Sequence, residues 1–162
     1  MKARRAVVML LVVGTLLGAA SVSGQTEEEV LALHAAQLEA MNAHDLDTMM
    51  SYWADDGVYD LVHSPPPAPK PYVQMAFGQR FAALPDFRMA MTRTLAAENI
   101  VVEEGTTLYT NVQTGAEVVI LHLSIYDFAD GKIKKVTSYN DRMGFQVASG
   151  QMPAPEMPDL VP

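Results

Sequence analysis

Asn42-Ala43-His44-Asp45-Leu46-Asp47-Thr48-Met49-Met50-Ser51-Tyr52-Trp53-Ala54-Asp55-Asp56-Gly57-Val58-Tyr59 is the stretch on which the fold turns. Asn42 to Asp45 interrupts one helical pattern, and Asp45 stands where a short polar side chain caps the next helix. Leu46, Met49, Met50 and Trp53 then recur at three- and four-residue spacing, which predicts a short helix through Trp53. Asp55-Asp56-Gly57 reads as a turn, and Val58 to Val62 as a short strand.

Upstream, Thr26-Glu27-Glu28-Glu29 opens a helix with its acids in the first turn, where they complement the helix dipole. Val30, Leu33, Ala36, Leu38, Ala40 and Met41 give that helix an apolar face. Downstream, the proline-rich run from Ser64 to Pro71 lacks amide donors and predicts a loop. Tyr72 to Leu84 reads as a third helix with Phe77, Phe81 and Leu84 on one side. The rest is strand: Phe87 to Ala96, Ile100 to Asn111, Glu117 to Ala129, and Lys132 to Asp141 after the hairpin signal Asp130-Gly131. Helices followed by hairpin-connected strands predict an α+β fold, an antiparallel sheet with about three N-terminal helices on one face.

At the N-terminus, Met1 to Arg5 is basic, Ala6 to Ala20 is apolar, and Ser21 to Gly24 is small. This is the pattern of a bacterial signal peptide over residues 1–24, so the expected product is exported to the periplasm or the medium. Removing Lys2, Arg4 and Arg5 with that segment takes the formal charge from −8 to −11. So acidic a domain repels phosphate backbones and anionic lipid, which argues against nucleic-acid partners and against membrane binding after cleavage. The chain has no Cys, so neither disulfides nor thiolate chemistry are available. The expected organisation is a signal peptide, one domain over 25–150, and a disordered Pro- and Met-rich tail over 151–162.

Two stretches carry a family resemblance. Asn42 to Tyr59, above, resembles the opening of the nuclear transport factor 2-like superfamily. Phe128-Ala129-Asp130-Gly131-Lys132-Ile133 through Tyr139-Asn140-Asp141 resembles its closing hairpin, in the form found in the SnoaL-like branch, the polyketide cyclases and their relatives. The resemblance implies a cone-shaped curved sheet enclosing a pocket, a small apolar molecule as ligand, and a homodimer formed through the sheet. It implies an acid/base carboxylate at Asp141, with Tyr139 sharing the pocket-facing side of the last strand and Tyr139 or His122 polarising a ligand oxygen. Trp53, Tyr59, His63, Phe77, Met89, Met91 and Tyr126 are the expected ligand-contacting side chains. Met89, Met91 and Arg93 alternate along one strand face, with Arg93 at the pocket rim.

Other chemistry fits less well. Asp60 falls one residue early against the base of the related steroid isomerases, which turns it to the other sheet face and predicts an exposed side chain. The helix tyrosine of those isomerases corresponds to a place near Gln37. The Arg-x-Asp of limonene epoxide hydrolases and the Gly-Thr-His of antibiotic-pathway cyclases are replaced by Thr106-Thr107-Leu108-Tyr109 and Gly105-Thr106-Thr107. His34 is expected to face the sheet, and His44 to face solvent. No His pair has metal-ligand spacing, and no phosphate-cradling loop or serine elbow is present, so neither metal nor cofactor is expected. The readings that follow are a cyclase or isomerase without cofactor, a non-catalytic ligand-binding protein, and a dimerisation module with a filled interior.

Overall fold

Thr26 starts the first helix with a reciprocal cap. Its hydroxyl accepts from Glu29 N, and Glu29 Oε2 accepts from Thr26 N at 2.8 Å. Helix α1 (Glu27–Asn42) buries Val30, His34, Gln37, Ala40 and Met41, so its inward face carries two polar side chains beside the apolar ones. Its last residue locks it to the sheet: Asn42 Nδ2 donates to Met89 O and Asn42 Oδ1 accepts from Met89 N, at 2.9 and 2.8 Å. His44 then takes a left-handed backbone conformation, φ 56°. It does not face solvent as expected. Its ring stacks on Phe81 at 4.5 Å and Nε2 donates to Phe87 O at 2.8 Å.

The computed structural model describes residues 25–153 apart from 63 and 65. The predicted signal segment, His63 and all but the first residues of the predicted tail lie outside the described residues. Asp45 caps α2 (Leu46–Ser51) as expected, accepting from Thr48 N at 3.0 Å. The helix stops at Ser51, and strand β1 (Trp53–Leu61) begins at once. Asp55-Asp56-Gly57 is therefore not a turn. It is an irregular part of β1, between the partners Trp53↔Ile133 and Val58↔Lys135. The turn-like composition marks this break in register: both acids are exposed and pair with Lys70 and Lys134.

A two-residue edge strand, β2 (Ala68–Pro69), interrupts the proline-rich loop, and Pro is tolerated there because an edge leaves one side unpaired. Helix α3 (Lys70–Ala83) carries Pro71 in its first turn, where a missing amide hydrogen costs nothing. The remaining strands are β3 (Arg88–Ala97), β4 (Ile100–Thr110), β5 (Glu117–Ala129) and β6 (Lys132–Asn140). Asp130 and Gly131 join the last two with φ of 52° and 72°, as a tight hairpin requires. The chain then turns into α4 (Arg142–Ala148), an element the sequence reading did not anticipate.

The molecule is α+β, with a curved, unclosed six-stranded sheet in the order β2-β1-β6-β5-β4-β3 and helices packed on one side. All neighbours are antiparallel except β1 and β6, which run parallel. The core lies between α1, α2 and the concave face, around Val30, Met49, Trp53, Tyr126, Phe128 and Ile133. Among the described residues, no helix is long and apolar enough to cross a membrane.

Candidate functional site

Strand alternation decides which side chains enter the cone. On β5 the buried positions are Val118, His122, Ser124, Tyr126 and Phe128, and on β6 they are Ile133, Val136 and Ser138. On β4 they are Val101, Glu103 and Gly105. The interior holds two cavities. An outer one of about 410 Å³ opens between α3, α4 and the end of the sheet, and an inner one of about 50 Å³ lies beneath it. Arg80, Phe87, Thr107 and Asn140 line both and form the neck between them.

Glu103 is the centre of the interior. It is fully buried, and a carboxylate in that position survives only with partners. His34 Nε2 donates to Oε2 at 2.7 Å, and the Tyr126 hydroxyl donates to Oε1 at 2.9 Å. His122 Nε2 stands 3.6 Å from Oε1, within ion-pair range but too far for a hydrogen bond, and it has no hydrogen-bond partner among the described residues. Burial pushes the Glu103 carboxyl up, but His122, His34 and Tyr126 together overcome it and hold the group at about 2. The interior therefore carries one ionised carboxylate between two imidazoles. Burial and the Glu103 charge push the Tyr126 hydroxyl far up, and burial raises Tyr59, so both phenols stay protonated.

His122 reaches from this carboxylate to the neck. Its Nδ1 lies 3.4 Å from Thr107 Oγ1. Around the inner cavity, both amide atoms of Gln37 and the indole Nε1 of Trp53 are buried without a hydrogen-bond partner among the described residues. Each such orphan costs roughly 1–3 kcal/mol, so these donors and acceptor are a standing demand for a polar group in the cavity. Among the described residues, no three His, Asp or Glu side chains converge closely enough to hold a metal ion.

Of the residues singled out from the sequence, Trp53, Tyr59, Phe77, Met89, His122 and Tyr126 line the inner cavity together. Met91 is half-buried on β3 and lines neither cavity. Arg93 is not at the pocket rim. A break in the β3–β4 register between Met91 and Arg93 turns it outward, where it pairs with Glu104 at 2.6 Å. Tyr139 does not face the pocket either. The concave positions of β6 are Val136 and Ser138, so Tyr139 lies on the outer face opposite Leu123, 47 % exposed. Asp141 stands past the end of the strand rather than on it. It caps α4 by accepting from Gly144 N at 2.8 Å, and it lines the outer cavity while exposed to solvent. Asp60 points away from the cone and pairs with Lys135. His63 lies outside the described residues.

Glu103 and Gln37 as interior polar groups escaped the sequence reading. The usable signal for Glu103 was its two-residue spacing from Val101, hidden because Glu104 follows it directly.

The fold recurs in solved structures. AclR of Streptomyces galilaeus, a candidate hydroxylase, is 21% identical over 79% of this chain and 100% of its own, with a TM-score of 0.71. IdmH of Streptomyces antibioticus, a candidate polyketide cyclase, is 20% identical over 75% of this chain and 98% of its own, with a TM-score of 0.66. An LEH-like epoxide hydrolase of M. tuberculosis is 19% identical over 77% and 92%, with a TM-score of 0.67. These identities speak for the shared cone and not for a shared reaction. No curated protein sequence matches the chain significantly. A model of the SnoaL-like domain matches residues 34–136, from the buried His34 of α1 to the buried Val136 of β6, and on that match the chain belongs to the SnoaL-like domain family.

Proposed function

We propose that this protein binds a small apolar carbonyl compound in the cone and moves a proton at the carbon next to the carbonyl, with His122 as the acid/base. The observation that carries the reading is the buried ionised Glu103 set 3.6 Å behind His122, whose other nitrogen is turned to the neck. In this reading, His122 Nδ1 takes a proton from the ligand's α-carbon. The imidazolium so formed is stabilised by Glu103, and Gln37 Nε2 and Trp53 Nε1 donate to the enolate oxygen. Returning the proton to another carbon is an isomerisation. Attack of the enolate carbon on a second carbonyl of the same molecule, with the proton passing to the new alkoxide, is an aldol cyclisation. Asp141 is the competing base, favoured by its place in the outer cavity wall.

Proton transfer is read directly by following loss of the methyl signal of 2-acetonaphthone in D₂O. The expected outcome is accelerated exchange, cut about 100-fold or more by His122→Gln and changed less than about threefold by Asp141→Asn. The reverse pattern moves the base to Asp141, where Asn still caps the helix. Binding of the ketone without exchange makes the chain a ligand-binding protein, and no binding at all leaves a dimerisation module.

Export through residues 1–24 and a homodimer belong to the same proposal. The outer sheet face supports the dimer, because Val119, Leu121, Leu123 and Tyr139 expose an apolar patch there. Native mass spectrometry of the protein recovered from a bacterial periplasm is expected to give a chain starting at Gln25 and a species of twice its mass. A retained N-terminus or a single-chain species would remove the corresponding part.

A further inference from the structure

Arg80, exposed on α3, reaches both cavities and enters no ion pair among the described residues. Helix α3 places it three residues after Phe77, so the two share a face. Its guanidinium carbon lies 5.0 Å from the ring centre of Phe77 and 5.4 Å from that of Phe87. These rings hold the group at the neck, where it lines both cavities. Among the described residues Lys70, Arg88, Arg93, Lys134 and Lys135 each have an acid partner, and Lys132, which also lacks one, donates to Ser51 O instead.

Two acids of the cone have other partners. Glu103 is held by His34 and Tyr126, and Asp141 caps α4. The outer cavity adds a second guanidinium, Arg142, also outside every ion pair among the described residues. The charge of Arg80 is felt in both cavities: burial pushes up the hydroxyls of Tyr59, within, and Tyr109, without, and the guanidinium pulls each partly back.

We propose that the cone takes its ligand as an anion, a carbonyl compound bearing a carboxylate, and that Arg80 is the residue that binds that carboxylate. This rests on the cone being a ligand site, as argued above. A guanidinium presents parallel N–H donors that match the two carboxylate oxygens, and stacking on aromatic rings leaves that edge free. Across the neck, Thr107 and Asn140 offer a hydroxyl and an amide to the same group. The inner cavity has room for little more than the carbonyl that Gln37 and Trp53 demand, and the outer one takes an apolar body against Leu61, Leu84, Ile120 and Phe145. The ligand class is then an apolar keto acid, its carbonyl close to its carboxylate.

The test compares two probes of one shape, 2-naphthoate and 2-acetonaphthone, which differ only in a carboxylate oxygen against a methyl group. Trp53 is the sole tryptophan and lines the inner cavity, so its indole N–H resonance reports binding there. The expected result at pH 7 is that 2-naphthoate binds about tenfold or more tighter than 2-acetonaphthone. Arg80→Met should abolish that preference while the ketone still binds, and Arg80→Lys should keep part of it. Equal binding of the two probes overturns the anion while leaving the cone as a ligand site, and so does a preference that survives Arg80→Met. If neither probe moves the indole signal, the ligand-site reading falls and this proposal with it. The comparison within the unmodified protein decides the matter even if the Met variant does not fold.

Discussion

At the scale of single residues, the interior is organised by one charge. Glu103 has no contact with water, yet it stays ionised because His34 and Tyr126 donate to it and His122 stands at ion-pair distance. Its folded value of about 2 lies below its ordinary 4.5, so its contribution to stability is complete above pH 4.5 and is lost as the pH falls through 2. The size of that contribution is roughly 3 kcal/mol. Urea unfolding between pH 5 and pH 2 should therefore show the unmodified protein losing about that much more than Glu103→Gln loses over the same range. Equal losses would mean that the carboxylate gains nothing from its imidazoles. Trp53, Tyr59, Phe77, His122 and Tyr126 could be placed on the cavity side from sequence, because their types are rare and their positions countable, while Tyr139 could not. Glu103 and Gln37 could not, since each is of a type that is normally solvated, and only the third dimension shows them enclosed.

At the scale of elements, period-two alternation located each of the four long C-terminal strands but assigned faces correctly only where the ladder is regular. Arg93 and Met91 show why. Counting by twos puts them on one face, and the register break between them puts Arg93 outside. Gly105 lies opposite Met91 at that break. A Cβ on it would come within 2.5 Å of Ala90 O, a backbone atom that can yield only by moving the strand. Gly105→Ala is accordingly expected to cost about 2 kcal/mol or more, read as a lowered urea midpoint. A neutral substitution would show that β3 can slide outward without strain. Tyr139 was misplaced for a different reason. The side chain that seemed to fix its face, Asp141, lies beyond the end of β6 in a helix cap, so its direction says nothing about the strand.

At the scale of the whole molecule, the order of helices and strands was enough for the α+β class, because helices followed by hairpins leave few other ways to bury one face. What the order could not give is that β1 lies beside β6 and runs parallel to it, for no hairpin links them. Trp53 faces Ile133, 80 positions further along the chain. During synthesis, β1 is therefore finished long before the strand it will pair with exists. Helix α3 rests on β1 and has to wait with it. Loop closure over such a separation is slow compared with hairpin formation, so β3, β4 and β5 can zip together first. The cone receives its second wall only when β6 leaves the ribosome, and until then Trp53 lacks the strand face of Ile133 and Val136 that completes its core.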